Sequence, residues 1–181
     1  SNISGINITC NGGCNGSITL THSGGTSPFT YLWSNGSITQ NLTGICAGSY
    51  TVTITDDNNC TESNTLTLTE PSAVFLSGIV TDISCNGVCI GEIDLSVSGG
   101  LSPYMYSWSN GQTTQDLSGL CGGNYNVSVT DQSGCSQTAS FSVNEPSTLT
   151  GGTLVTEESC TGACDGAINL TVTGGTSPYT Y

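Results

Sequence analysis

Cysteine is the residue type with the clearest chemistry in this sequence, which has 10 Cys among 181 residues. Two residue sets share the same spacing, C-x3-C followed by two single cysteines, and a third set begins the same way. The sets are Cys10, Cys14, Cys46 and Cys60; Cys85, Cys89, Cys121 and Cys135; and Cys160 with Cys164. Cysteines at this density form either the disulfides of an exported domain or a thiolate metal site.

The spacing favours disulfides that close long loops. A bond between neighbours such as Cys10 and Cys14 would close a trivial loop, whereas longer pairs each contribute about 3–4 kcal/mol in the chain-entropy model. We predict two nested pairs in each complete set: Cys10–Cys60 with Cys14–Cys46, and Cys85–Cys135 with Cys89–Cys121. The crossed arrangement, Cys10–Cys46 with Cys14–Cys60, is the alternative. We expect Cys160 and Cys164 to pair with residues beyond Tyr181.

Metal binding is the alternative interpretation of the cysteines, and it is also weighed for three Asp residues and the single His. A four-cysteine zinc site usually has C-x2-C spacing, and the x3 spacing here argues against it. Asp56, Asp57 and Asp131 are candidate Ca²⁺ ligands, but an Asp-rich turn also forms when the side chains bind their own backbone. His22 is replaced by valine at the corresponding place in the next set, so we expect it to be a partly buried strand residue. No cofactor is predicted, with Ca²⁺ as the alternative.

Aromatic residues suggest a second kind of site. Trp33 and Trp108, with Tyr31 and Tyr106, could stack on sugar rings. The same residues alternate along predicted strands, which favours a place in the core. No pair of acidic residues recurs in the way that glycoside hydrolysis requires. We therefore predict no catalytic residues and no enzyme activity.

The charge of the chain is one-sided. It has 13 acidic residues and neither Lys nor Arg, so its formal net charge is -13. Nucleic acid is excluded as a partner because no fixed cation is present to neutralise phosphates. Insertion into a membrane is not expected, because no apolar run approaches the length of a spanning helix.

An ungapped internal repeat organises the chain. Trp33 and Trp108 are 75 residues apart, as are Cys10, Cys85 and Cys160. The sequence GGTSPFTYLWSNG reappears as GGLSPYMYSWSNG and then begins again as GGTSPYTY. We predict domains at residues 1–73 and 74–148 and a truncated third repeat at 149–181, and we interpret the chain as a section of a longer array.

Short alternating runs predict about seven strands in each repeat. The run YTVTIT places Tyr50, Val52 and Ile54 on one face, and Asn35-Gly36 is a strong hairpin signal. A Trp on the third strand and a Tyr at the start of a late strand, where a tyrosine corner would lie, are typical of immunoglobulin-like domains. The predicted fold is all-β: tandem immunoglobulin-like β-sandwich repeats of 75 residues, with disulfides supporting a small core.

Four motifs together resemble the SprB-type repeat of cell-surface gliding-motility adhesins of Bacteroidetes. They are CNGxxxG, GGxSPYxYxWSNG, the L-x-G-x-C-x-G-x-Y-x-V-x-V-T-D strand, and a closing GC with E-P-S. In the first repeat they occupy Cys10–Gly16, Gly24–Gly36, Leu42–Asp56 and Cys60–Pro71, with Phe29, Ile54 and Asn59 departing from the pattern. The resemblance implies an exported, filament-building domain, delivered by type IX secretion, and it carries no catalytic residues.

The predicted function is a structural repeat of an extracellular filament or cell-surface adhesin. The alternative is an array of carbohydrate-binding modules attached to a secreted enzyme. The expected partners are neighbouring repeats of the same chain or filament and, as a further candidate, surface polysaccharide. The expected location is extracellular, on the cell surface or in a secreted filament.

Overall fold

The computed structural model describes residues 1–181 and contains strands but no helix. The all-β class predicted from the sequence is therefore confirmed. The strands are β1 (Asn2–Ile6), β2 (Gly16–Thr21), β3 (Thr30–Trp33), β4 (Leu42–Ile45), β5 (Gly48–Thr55), β6 (Thr61–Leu68), β7 (Phe75–Thr81), β8 (Gly91–Ser98), β9 (Met105–Trp108), β10 (Leu117–Leu120), β11 (Gly123–Thr130), β12 (Ser136–Val143), β13 (Thr150–Thr156) and β14 (Ala167–Thr173).

The first compact unit consists of residues 1–75, 97–105 and 129–137. It contains two antiparallel sheets with the strand orders β1-β2-β4 and β3-β5-β6. Alternation along the strands places Ile18 and Leu20 of one sheet and Val52 of the other in a shared apolar core, each fully buried. The two sheets are held together by this core, which is the layered arrangement of a sandwich.

The Asn35-Gly36 turn differs from the hairpin that its sequence predicts. The turn itself forms, because Gly36 N donates to Trp33 O at 2.9 Å and Gly36 has a φ of 85°. The strands on either side of it do not pair with each other: β3 pairs with β5, whereas β4 pairs with β2 in the other sheet. The tight turn therefore carries the chain from one sheet to the other.

The second compact unit consists of residues 76–96, 106–128 and 138–181. Its strands belong to the sheets β7-β8-β10, β9-β11-β12 and β13-β14. Ile93, Leu95, Trp108 and Val127 are among its buried residues. Strands β9 to β12 begin 75 residues after β3 to β6, respectively. The domain boundaries at 73/74 and 148/149 and the immunoglobulin-like topology stay predictions.

Two aromatic residues in each repeat take the positions that the sequence analysis expects. Trp33 and Trp108 are 2% and 3% exposed, and their indole N–H groups donate to the backbone oxygens of Thr39 and Thr114. The Tyr50 hydroxyl donates to Cys46 O at 3.0 Å, four residues upstream. Tyr125 makes the same bond to Cys121 O at 2.9 Å. A tyrosine that bonds the backbone a few residues upstream is the arrangement of a tyrosine corner.

We predict that Trp33→Ala lowers the free energy of unfolding by about 3–5 kcal/mol, because it removes a large buried ring. The neighbouring Leu32 is 59% exposed, so Leu32→Ala is the matched control and is expected to change stability by less than about 0.5 kcal/mol. Urea unfolding of the full chain under oxidising conditions measures both. Equal, small effects for the two variants would show that the Trp33 ring does not stabilise the core.

Candidate functional site: the linker junction

Residues 70–74 link strand β6 to strand β7, and their first half is fixed by a turn that follows the first C-x3-C cysteine. The Glu70 carboxylate accepts a hydrogen bond from Gly12 N at 2.6 Å and another from Asn11 Nδ2 at 3.2 Å. Asn11 Nδ2 also donates to Pro71 O at 3.1 Å. These charge-assisted bonds set the direction in which the linker leaves β6.

The second half of the linker lies against a double-glycine turn. Gly100 N donates to Ser72 O at 2.9 Å. A Cβ added to Gly100 would lie 2.6 Å from Val74 Cγ2, and one added to Gly99 would collide with Ala73 O. Both glycines have positive φ values, 73° and 64°. Glycine is required here both for the backbone conformation and for the close approach of the linker.

A buried carboxylate completes this turn. Asp131 is 1% exposed. Its Oδ1 accepts hydrogen bonds from Ser133 N at 2.8 Å and Cys135 N at 2.9 Å, and its Oδ2 accepts one from Leu101 N at 3.0 Å. The side chain therefore joins the double-glycine turn to the turn that carries Cys135. We use the name linker junction for residues 10–13, 70–74, 99–101 and 131–135, all of which belong to the first compact unit.

The hydrogen bonds at Asp131 outweigh the cost of its burial. Burial raises the pKa of the carboxyl group, but donation from the backbone N–H groups of Cys135, Leu101 and Ser133 brings the pKa below its usual value of 3.8. The carboxylate form is thus the one that the fold stabilises.

A disulfide between Cys10 and Cys135 closes the linker junction. The Cα atoms of the two residues are 5.5 Å apart, and 125 residues of sequence separate them. The bond joins the first cysteine of one set to the last cysteine of the following set. This differs from the predicted Cys10–Cys60 and Cys85–Cys135 pairs, which do not form in the structure, where Cys60 and Cys85 are free thiols.

The length of β6 explains why the pairing within one set is wrong. Cys60 lies directly before β6, whereas the turn of Cys10 binds Glu70, which follows the end of β6. Eight residues of strand span about 26 Å, and a disulfide needs Cα atoms about 4.4–6.8 Å apart. Cys135 and Pro146 are likewise separated by β12, which also has eight residues. The prediction placed the late cysteine at the wrong end of its strand.

The other cysteines follow a simpler pattern. Cys14 is bonded to Cys46 and Cys89 to Cys121, each across a sequence separation of 32. These are the inner pairs of the nested prediction. Cys160 and Cys164 are free thiols in the structure, and their pairing beyond Tyr181 stays a prediction.

The contacts of the linker recur once more along the chain, within the second compact unit. Gly175 N donates to Ser147 O at 2.7 Å, as Gly100 N does to Ser72 O. Asn86 Nδ2 donates to Pro146 O at 3.0 Å, as Asn11 Nδ2 does to Pro71 O. The double-glycine turn and the Glu-Pro-Ser linker are therefore a repeated pair of complementary parts.

Two of the three candidate calcium ligands, Asp56 and Asp131, accept hydrogen bonds from the backbone. Like Asp131, Asp56 accepts hydrogen bonds from backbone N–H groups, those of Thr26, Asn58 and Cys60, and the bond from Thr26 contributes most to lowering its pKa. Asp57 is exposed. No three His, Cys, Asp or Glu side chains are grouped so that they could hold a metal ion.

His22 takes part in an aromatic cluster. Its Nε2 is 2.8 Å from the Tyr31 hydroxyl, and its ring centroid is 4.2 Å from that of Phe29. The side chain is partly buried, as the sequence predicts, but His22 directly follows β2 and does not lie in the strand.

A family model of the SprB repeat matches the chain at three places, residues 6–38, 77–113 and 152–181, which together make up more than half of it. The chain belongs to the SprB repeat family. The resemblance found in the sequence motifs is thereby confirmed. All three matches include a C-x3-C pair and the Gly-Gly-x-Ser-Pro turn. Residues 10–13 and 99–101 of the junction therefore lie within the matched segments, whereas residues 70–74 and 131–135 lie outside them.

Two further comparisons add little to this result. Among solved structures, the chain is similar to the amphioxus IgVJ-C2 molecule, with 12% identity, a TM-score of 0.30, and coverage of 78% of this chain and 95% of that one. A TM-score this low carries no argument about the fold. No curated protein matches the chain.

None of the elements is a helix that is long and apolar enough to cross a membrane.

Sequence reasoning did not identify Gly99 and Gly100 as residues that receive the linker, and it named Asp131 only as a candidate calcium ligand. Two signals were available. The double glycine stands before x-Ser-Pro in all three repeats, although type I and type II turns need at most one residue with positive φ. The run from Cys60 to Glu70 contains one uninterrupted alternating strand, whose length excludes a bond between its two ends.

We predict that Asp131→Asn destabilises the chain at pH 7 and has a smaller effect at pH 3. The folded-state pKa of Asp131 is lowered, so the carboxylate contributes stability above its unfolded-state pKa of about 3.8 and loses that contribution as the pH falls through the folded-state value. Thermal unfolding at both pH values measures the difference. The exposed Asp57→Asn is the control and should have little effect at either pH. A pH-independent loss for Asp131→Asn would contradict this role of the carboxylate.

The cysteine pairing can be tested by digestion with a protease that cleaves before Asp, after free thiols have been alkylated. The chain has no Lys or Arg for trypsin, but its aspartates divide it so that Cys10 lies in residues 1–55, Cys60 in 57–81 and Cys135 in 131–164. We expect a disulfide-linked product of 1–55 with 131–164 and an alkylated Cys60. A linked product of 1–55 with 57–81 would instead restore the Cys10–Cys60 pair.

Proposed function

We propose that the chain is a structural, non-catalytic section of an extracellular filament or cell-surface adhesin, in which disulfides transmit tension from one repeat to the next. The Cys10–Cys135 bond is the observation that carries this proposal, because it connects a cysteine inside the first segment that matches the SprB repeat to a cysteine that follows the second matched segment. SprB repeats belong to cell-surface proteins, and disulfides are typical of the oxidising environment outside the cell. The family also implies type IX secretion and a relation to gliding motility.

The route of mechanical force supports this proposal. When the two ends of the chain are pulled, the Cys10–Cys135 bond bypasses the segment between its cysteines, which are 125 positions apart in the sequence. Strands within that segment cannot be pulled apart end to end while the bond is intact. Cys14–Cys46 and Cys89–Cys121 each protect a further loop inside this segment. Such an arrangement suits a filament that must resist extension.

The charge of the chain supports a separated, soluble filament. Thirteen carboxylates without Lys or Arg make neighbouring chains repel each other at neutral pH and low salt. The repulsion is screened beyond about 10 Å at 0.1 M salt. We therefore propose that contacts run mainly along one filament, between neighbouring repeats, and that lateral association depends on added ions or on contacts with surface polysaccharide.

The structure favours the filament over the carbohydrate-module alternative. Stacking on sugars requires an exposed aromatic face, but Trp33 and Trp108 are buried in the core. The two tryptophans therefore stabilise the core, whereas Tyr31 and Tyr106 are partly buried.

We predict that single-molecule stretching of the full chain, tethered at its two ends, shows a large gain in length on reduction. Reduction releases the segment between Cys10 and Cys135, which are 125 positions apart in the sequence, and this corresponds to about 400 Å at roughly 3.3–3.6 Å per residue.

The matched control is the double variant Cys10→Ser with Cys135→Ser, stretched without reductant. Its two inner disulfides stay closed, so it should extend by only about 200 Å more than the oxidised parent chain. If the oxidised parent chain extends as far as this variant, the bond does not transmit tension and the proposal is wrong.

A further inference from the structure

The Gly24-Gly25 turn of the first repeat is the counterpart of the turn that receives the linker in the second repeat. We propose that it is a docking site for the Glu-Pro-Ser linker of another SprB repeat placed ahead of it in the polypeptide, and that Cys60 forms a disulfide with the first cysteine of that repeat. The inference rests on the proposed function, since it extends the same junction in the opposite direction along the filament.

The local geometry of this turn matches that of the occupied junction. Gly24 and Gly25 have φ values of 80° and 75°. Thr26 N donates to Asp56 Oδ2 at 3.0 Å, as Leu101 N does to Asp131 Oδ2. Cys60 N donates to Asp56 Oδ1 at 2.8 Å, as Cys135 N does to Asp131 Oδ1. The turn of the first repeat therefore has the same hydrogen bonds to its aspartate as the turn that receives the linker in the second repeat.

The two turns differ in whether linker residues lie against them. A pocket of about 140 Å³ lies here, lined by Gly24, Gly25, Phe29, Asp56 and Cys60 among others. In the second repeat, the linker residues Ser72–Val74 lie against the corresponding turn. Asp131 is buried there, whereas Asp56 is only partly buried.

The Phe29 ring marks the position that a linker side chain would take. A Cβ added to Gly25 would lie 2.9 Å from Phe29 Cε1, whereas one added to Gly100 would lie 2.6 Å from Val74 Cγ2. The counterpart of Phe29 is Tyr104, whose hydroxyl donates to Gly99 O at 2.6 Å. Docking of a valine-like side chain should thus displace the Phe29 ring from Gly25.

The spacing identifies the sulfur partner. In the formed bond, Cys135 pairs with the first cysteine of the preceding repeat, 125 residues earlier. Cys60 is the counterpart of Cys135, and it is exposed with a free thiol. Bond formation removes one proton from each of the two thiols and transfers two electrons to a disulfide oxidant, such as glutathione disulfide, which is reduced to two thiols.

The test uses the full chain extended at its N-terminus by a copy of residues 1–75. Because Phe75 directly precedes the residue that corresponds to Ser1, this fusion places the copied linker in the register of the natural junction. After oxidation in a glutathione redox buffer, we expect the first cysteine of the copy to be linked to Cys60. Protection of Cys60 from alkylation and the linked peptides from digestion measure the bond.

Two glycine variants separate docking from general destabilisation. A Cβ at Gly24 or at Gly36 meets no atom within 4 Å, and the φ values of the two residues are similar, 80° and 85°. Gly24→Ala and Gly36→Ala should therefore destabilise the original chain equally. In the extended chain, only Gly24→Ala places a methyl group against the docked linker, as Gly99 would against Ala73. We expect it alone to lower the yield of the Cys60 bond several-fold.

The proposal is overturned if Cys60 remains fully alkylated in the extended chain, if the copied cysteine pairs within its own repeat, or if both glycine variants give the same yield. The stretching experiment is independent of these outcomes, because it depends only on Cys10–Cys135. A free Cys60 together with a reduction-dependent extension would reject the docking site and leave the proposed function in place.

Discussion

The pairing of the cysteines depends on the length of one strand. Strand β6 separates Cys60 from the Glu70 linker by eight residues, and this distance places the two ends of the strand too far apart for one disulfide. The first cysteine of a repeat lies at the end where the linker leaves, and the last cysteine lies at the end where a linker arrives. A disulfide between the two positions must therefore connect successive repeats. The organisation of the linker junction follows from this constraint.

Backbone N–H groups take the place of cationic side chains in this molecule. A chain with 13 acidic residues and no Lys or Arg cannot satisfy its carboxylates with side-chain ion pairs to those residues. Glu70, Asp56 and Asp131 instead accept hydrogen bonds from the backbone of tight turns. Each of these carboxylates thereby fixes a turn next to the linker or next to a late cysteine. Asp56 and Asp131, two of the candidate metal ligands named from the sequence, are thus structural parts of the turns.

The glycines at the receiving turn explain how a short linker can be held firmly. Hydrogen bonding between Gly100 N and Ser72 O requires the two backbones to approach more closely than any side chain at Gly99 or Gly100 would allow. The second half of the linker is thus positioned by a main-chain contact, which does not depend on the identity of Ala73 or Val74. This makes the same docking geometry available to linkers of different sequence, and Ser147 forms it again at Gly175.

The sequence by itself determined the all-β class and the family. It favoured, without deciding, the buried positions of Trp33 and Trp108 and the inner cysteine pairs. These features depend on contacts between strands that are close in sequence, or on alternation with a period of two residues, which is visible along the chain. The tyrosine corner at Tyr50 was predictable for the same reason, because its partner is only four residues away.

Only the tertiary structure decided which cysteine Cys10 bonds, how the linker is held, and what Asp131 does. Each of these depends on which end of a sheet a turn occupies, and periodicity carries no information on that. Asn35-Gly36 illustrates the same limit: the turn formed as predicted, but the core drew its two flanking strands into different sheets. Local sequence sets the shape of each turn, whereas the burial of both sheet faces in one core decides which segments meet.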